Sequence, residues 1–352
     1  MPAALRLPAV AEGQPAGWTV NAPRAAFSMG CFLGIDGGAT RTTAWLADED
    51  GKVLARVEAG PSNPLKVGFR AAQHEIRNAT REALRQAALP KANRRQGNSA
   101  ILEFVCAGIA GIDRRAVHRP LFDWMRRHIS ARHHLLTSDA GIALAAAVGD
   151  SPGIIVIAGT GSIALARDER GRLLRAGGWG IPFDDLGSGY DLGRRAVTVA
   201  LQAFDGRGPR TRLTERICRV LDLSDITEVV PKNLEPQEIA ALFPQVIEAA
   251  RHGDPVACDL CDDAARDLAK LAVALLERVG WARRSVPVVC TGGVFRSSSL
   301  VRRAFARQLR RFAPKARVEL LDRPPVEGAL WLACTHATAR QWKASSRGEA
   351  SR

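Results

Sequence analysis

The chain has 352 residues, 46% of them hydrophobic and 24% charged, and a formal net charge of +14. That length favours two domains, each able to bury its own core, and the composition excludes a disordered or fibrous chain. No apolar run approaches the roughly 20 residues of a membrane span, and the basic residues fall as scattered doublets such as Arg94-Arg95, Arg126-Arg127 and Arg302-Arg303 with one Tyr to stack on bases, so the charge reads as a solvated surface with no nucleic-acid or membrane partner.

Residues 1–30 hold Pro and Gly but no basic segment followed by a continuous apolar one, so they read as a disordered extension and not as a secretory signal. From Phe32 an internal repeat begins. Residues 32–60 read FLGIDGGATRTTAWLADEDGKVLARVEAG, and residues 153–178 read GIIVIAGTGSIALARDERGRLLRAGG. Each copy has an apolar strand, a Gly/Thr turn, a second strand, an acidic Gly turn (Glu49-Asp50-Gly51; Glu169-Arg170-Gly171) and a third strand, which predicts an antiparallel meander opening each of two related domains.

Beyond each meander the periodicity changes to helices alternating with short buried strands, the pattern of a mixed α/β sheet. The first half predicts a helix over 69–89, a strand over 101–107, a helix over 114–129 and a strand over 133–137, followed by Ser138-Asp139. The second predicts helices over 191–204, 236–251 and 254–279, a strand over 286–290, a helix over 300–312, a strand over 318–321 and a terminal helix over 326–338. The domains are then 31–150 and 151–338, with a loose tail over 339–352 and a terminal helix free to pack back on the first domain.

Seven Cys without regular spacing point to reduced thiols and a cytoplasmic protein. Cys258 and Cys261 form a lone C-x-x-C on a predicted helix that also carries Ala264, Leu268, Leu271 and Leu275 on its apolar face, so they read as core, with no second pair to complete a zinc site.

Three glycine turns remain. In Asp36-Gly37-Gly38-Ala39-Thr40-Arg41-Thr42 and in Gly159-Thr160-Gly161-Ser162, glycines let backbone N–H groups approach an anion while hydroxyls stand beside them. Neither is a Walker A loop or a dinucleotide fingerprint. Their recurrence suggests one phosphate-holding turn from each domain. Thr291-Gly292-Gly293 follows a strand and suits the close approach of a flat ring.

The ordered set DGGATRT, SDAG, AGTGS, GGWG, DDLGSGYDLGRRA, TGGVF and PVEGALWLA, over about residues 31–335, resembles the N-acetylglucosamine kinase and BadF/BadG-type ATPase branch of the actin, hexokinase and Hsp70 superfamily. The resemblance implies two ribonuclease H-like domains with a ligand cleft between them, ATP and Mg²⁺ as cofactors, and an amino-sugar substrate, and it leaves a homodimer open. By it, Asp36 holds Mg²⁺ through water; Gly37, Gly38, Thr40, Thr42, Gly159, Thr160 and Gly161 surround the phosphates; and Gly292, Gly293 and Ser297 line the adenosine site. Asp139 is implied as the base, against a plain helix-capping role. Asn63, Ser162, Ile163, Gly178, Trp179, Gly180 and Asp185 are implied as sugar ligands; without the resemblance Asn63 is a turn residue and Trp179 core. The implied reaction is transfer of the γ-phosphate to the 6-hydroxyl of N-acetylglucosamine or glucosamine; the alternative is an ATPase that activates a partner reductase or dehydratase. Where the family usually has Gly-Asp-Glu-Gly-Ser-Gly, this chain has Asp184-Asp185-Leu186-Gly187-Ser188-Gly189, which leaves the acceptor open.

Overall fold

The computed structural model describes residues 30–87 and 102–336. The extension expected over 1–30, apart from Gly30, the tail expected over 339–352 and the expected element ends at 88–89, 101 and 337–338 lie outside them. By contacts the chain divides into two compact units, one running to Ser138 and resuming at Ala329, the other Asp139–Gly328.

In the first unit the meander is β1 (Cys31–Gly37), β2 (Thr42–Ala47) and β3 (Val53–Ala59), followed by α1 (Pro64–Gln86), β4 (Leu102–Ile109), α2 (Arg115–His128) and β5 (Ala131–Ser138). The sheet order is β3-β2-β1-β4-β5, with β1 antiparallel to β2 and parallel to β4. Every residue of β4 is buried, as suits a central strand covered on both faces. Leu33 and Ile35 of β1 are fully buried, each worth roughly 1.5–3 kcal/mol of apolar burial, and they fix the strand that carries Asp36. α1 starts before the predicted residue 69: Asn63 caps it, Pro64 fills the first turn, and Gly68 at φ 80° interrupts it, so the regular periodicity begins only at Phe69.

The second unit opens with α3 (Asp139–Val148) and repeats the meander as β6 (Gly153–Ala158), β7 (Ser162–Arg167) and β8 (Leu173–Gly177). Then come α4 (Gly189–Phe204), α5 (Leu213–Leu221), a 3-10 segment (Ile226–Lys232), α6 (Pro236–Ala240), α7 (Phe243–Arg251) and α8 (Pro255–Arg278). β9 (Pro287–Thr291), α9 (Gly293–Ser297), α10 (Ser299–Phe312) and β10 (Arg317–Leu320) follow, and a last helix, α11, covers 325–336, its residues from Ala329 on grouping with the first unit. The sheet order is β8-β7-β6-β9-β10. Strand for strand this is the order of the first sheet, so the two related α/β domains are real. The second core is built on α8, whose Leu260, Cys261, Ala264, Ala265, Leu268, Ala269, Ala272, Leu275 and Leu276 form one buried stripe. The single helix expected over 236–251 is two, because Pro244 lacks an N–H and is tolerated only in the first turn of a helix, which α7 supplies. The expected boundary at 150/151 falls after α3, whereas by contacts α3 groups with the second unit.

No helix among the described residues is long and apolar enough to cross a membrane.

Candidate active site

In the first unit the ends of β1 and β4 and the start of β2 meet at one sheet edge, with Gly37 opposite Thr42 and Ile109. Glycine at 37 leaves room for its neighbours: a Cβ there would press on Ser62 Oγ and Ile109 Cδ1, which would have to shift. The Gly38 carbonyl accepts the amides of Ser62 and Asn63 at 3.0 and 3.1 Å, and the Gly38 amide donates to Arg41 O at 2.9 Å. Thr40 is exposed at the tip of this turn, and Asp36 is half-buried one residue before the end of β1. Thr42 is 0% exposed, with its hydroxyl 2.7 Å from both Gly60 O and Ser62 Oγ. That hydroxyl is therefore engaged behind the turn, holding the segment that carries Asn63. The Asn63 carbonyl oxygen accepts Leu65 N–H at 3.0 Å as the cap of α1, which leaves its NH₂ group to donate outward.

In the second unit β6, β8 and β9 end, and β7 begins, at one sheet edge: Ala158 pairs with Ser162, Ile163 with Gly177, and Ile157 with Thr291. Three of the sequence-predicted segments therefore lie together, the Gly159-Thr160-Gly161 turn, Gly178-Trp179-Gly180 and Gly292-Gly293. Gly292, at φ 99°, passes so close to Ala158 that a Cβ would strike its backbone. Gly159 differs. It has no left-handed φ, and a Cβ there would meet nothing within 4 Å, so the fold does not demand glycine, and the bare backbone suits a ligand that comes close. Gly293 is similar, since its Cβ would make only ordinary contact with the Phe243 ring at 3.5 Å. Ser297 closes α9 through its hydroxyl on Gly293 O at 2.7 Å.

α3 runs opposite to β6, because Val148 near its last turn packs against Gly153 at the start of the strand. Its first residue, Asp139, therefore lies toward the end where β6 gives way to the Gly159 turn. There the helix N-terminus favours a carboxylate, and Asp139 Oδ1 accepts the next amide, Ala140 N–H, at 2.9 Å. Asp139 is the first residue of α3, so a part in capping that helix stands beside the role of base implied for it.

Asp185 is 7% exposed and left-handed, at φ 66°, a conformation unusual for a non-glycine residue and often found at functional sites. Its Oδ1 accepts Ser162 N–H at 3.1 Å, while the Ser162 hydroxyl donates to Leu186 O at 2.8 Å. Burial pushes the Asp185 carboxyl up, the Ser162 amide opposes this, and Asp184 adds to it. Ser162 is thus a buried link, and Ile163 is half-buried against Gly178. Leu186 contributes its carbonyl where the family pattern has a carboxylate side chain. Trp179 corrects the alternative of a core residue: it is 67% exposed, with the Arg175 guanidinium 4.1 Å from the ring centroid. Phe183 beside it is 89% exposed.

Sequence reasoning missed the residues behind these loops. Ser62 and Asp191 hold the two turns, and Asp191 was legible as the last member of Ser188-Gly189-Tyr190-Asp191, a serine and an acid at cap spacing before an apolar helix. Phe243, against Gly293 and Gly189, had no signal, because the break before α7 was not read. Cys106 and Cys290 are buried in β4 and β9, and burial raises both thiols. Of the C-x-x-C pair expected in the core, Cys261 is buried but Cys258 is exposed, because it stands off the stripe of α8 that Ala257, Leu260 and Cys261 bury. Burial likewise pushes Cys261 up to about 12. These thiols are poor candidates for thiolate ligands.

A family model described as the BadF/BadG/BcrA/BcrD ATPase family matches residues 33–330. Among curated proteins, an N-acetylmuramic acid/N-acetylglucosamine kinase of Clostridium acetobutylicum is 32% identical over 309 residues, 87% of this chain and 98% of the relative. An N-acetyl-D-glucosamine kinase of Dictyostelium discoideum is 29% identical over 86% of this chain and 97% of its own length. A solved Chromobacterium violaceum structure, described as a candidate N-acetylglucosamine kinase, aligns with TM-score 0.72 and 29% identity over 87% of this chain and 99% of that one.

Proposed function

The chain belongs to the BadF/BadG/BcrA/BcrD ATPase family, and on that premise we propose that it is an ATP-dependent amino-sugar kinase with Asp139 as its base. The acceptor is the 6-hydroxyl of N-acetylglucosamine or glucosamine. The observation that carries this is the gathering, within the second unit, of two ligand-permissive glycines, a strained buried Asp185 and the N-terminal end of α3 at one end of β6. The names of the relatives support its coarser part, an amino-sugar kinase.

In this reaction the sugar oxygen forms a bond to the γ-phosphorus, the bond to the β–γ bridging oxygen breaks, ADP leaves, and the hydroxyl proton passes to Asp139. Such transfer asks the protein mainly for positioning and charge neutralisation. Thr40 and Thr160, each exposed at the tip of its turn, present hydroxyls to phosphate oxygens. Glycines 37, 38, 159 and 161 keep the backbone of those turns bare, and Gly292, Gly293 and Ser297 take the adenosine. Asn63, Asp185 and the Gly178-Trp179-Gly180 loop orient the sugar, with Trp179 offering an apolar ring face. Among the described residues no three His, Cys, Asp or Glu side chains gather into a metal cage, so Mg²⁺ would rest on Asp36 through water and on phosphate. Bound there, it supplies neutralisation of the phosphate charge.

Incubation with Mg-ATP and each amino sugar, followed by phosphorus NMR and mass spectrometry, tests the assignment. The expected result is ADP with a stoichiometric sugar 6-phosphate. ATP hydrolysis indifferent to every sugar would contradict it.

A further inference from the structure

The segment Asp185–Tyr190 bonds to the Gly159–Ser162 turn through four of its residues. Asp185 Oδ1 accepts Ser162 N–H, Leu186 O accepts the Ser162 hydroxyl, Gly189 N–H donates to Gly159 O at 2.8 Å, and Tyr190 N–H donates to Thr160 O at 3.3 Å. One strap thus carries the carboxylate assigned to the sugar and also grips the turn assigned to phosphate. What holds the strap is a partly buried ionic chain. Asp191, 3% exposed, accepts Gly187 N–H at 3.0 Å. Arg195 Nε donates to Asp191 at 3.0 Å, and its Nη2 donates to Asp267 on α8 at 3.0 Å. α8 is 24 residues long and packs on β6, β7 and β8 of the same sheet, so it is a rigid base.

We propose that Arg195 is a positioning residue: by tying Asp191 to Asp267 it keeps Asp185 and the Gly159–Ser162 turn in register, so that both substrates depend on it though it touches neither. This rests on the kinase reading above. Arg194 also reaches Asp191, at 3.1 Å, but its side chain is half exposed and makes no bond to α8. A lysine at 195 has a single ammonium in place of a planar fork and does not reproduce the two directed bonds that separate guanidinium nitrogens make. Arg195 Nη1 also lies 3.9 Å from Asp263 Oδ2 on α8, so the loss of Asp267 alone is softened.

The test is steady-state kinetics of the full chain, with ATP and the amino sugar varied separately, for the wild type, Arg195→Ala, Arg195→Lys, Asp267→Asn and a control, Arg307→Ala. The control removes another α8 ion pair, with Asp262 at 3.0 Å, away from the strap. The expected result is that Arg195→Ala raises KM for both substrates together by about tenfold, with Arg195→Lys no better than partly restored, Asp267→Asn smaller in the same direction, and Arg307→Ala unchanged. If Arg195→Ala fails to fold, Asp267→Asn, which keeps the side-chain shape, decides by the same paired shift. Unchanged KM values, a shift for one substrate alone, or an equal shift in the control would overturn the inference. A wild type that phosphorylates no sugar would instead overturn the kinase reading.

Discussion

The two glycine turns are copies of one device used in different surroundings. At the tip of each stands an exposed threonine, Thr40 or Thr160, and at the start of the following strand a buried hydroxyl, Thr42 or Ser162. In the first unit the buried hydroxyl reaches Gly60 O and Ser62 Oγ and so supports Asn63. In the second, the hydroxyl and amide of Ser162 hold Leu186 and Asp185. The tip is exposed and the base faces the protein, and each base anchors a residue proposed for the sugar. On the proposed function, position within the turn, and not residue type, sorts function from support.

The comparison makes graded predictions. Thr40→Val and Thr160→Val should each lower kcat/KM for ATP by about 30-fold, about 2 kcal/mol, with the melting temperature unchanged in a thermal scan. A melting loss with normal kinetics would reverse the roles of tip and base. Thr42→Val should do the opposite, destabilising by about 1–2 kcal/mol in urea titration because Gly60 O and Ser62 Oγ lose a buried partner. Ser162→Ala should destabilise by about 1 kcal/mol or less, since the Ser162 amide still serves Asp185.

Asp185→Asn is the smallest effect on stability and the sharpest in sign. Burial raises the Asp185 carboxyl, so the folded protein holds this proton more tightly than the unfolded chain does. Ionised Asp185 therefore costs stability, and the cost appears as pH rises from the ordinary aspartate range through the raised value. Asparagine keeps the left-handed backbone. The variant should melt slightly higher than the wild type at neutral pH, the gap closing in acid, while sugar KM rises. A lower melting temperature at neutral pH would refute this.

Much of this was legible in the sequence because the meander repeats with its turn chemistry intact, and the two sheets copy each other strand for strand. The segment from Gly189 to Arg278 was less so. Its five helices and 3-10 segment stand where the described residues of the first unit have α1 alone, and the break at Pro244 interrupts an otherwise continuous apolar period. At the site, the glycines and Asp139 were readable as motif letters. That Thr42 and Ser162 are buried, or that Asp191 and Arg195 stand behind the turn, depends on which carbonyls come within reach. Residue type alone does not carry that.

The central claim is that Asp139 takes the proton of the attacking hydroxyl. Single-turnover phosphorylation by Asp139→Asn, alongside calorimetric titration with a non-hydrolysable ATP analogue, tests it most directly. Transfer should slow by about a hundredfold or more while nucleotide affinity stays within about twofold. An Asp139→Asn enzyme that phosphorylates the sugar at the wild-type rate would contradict it.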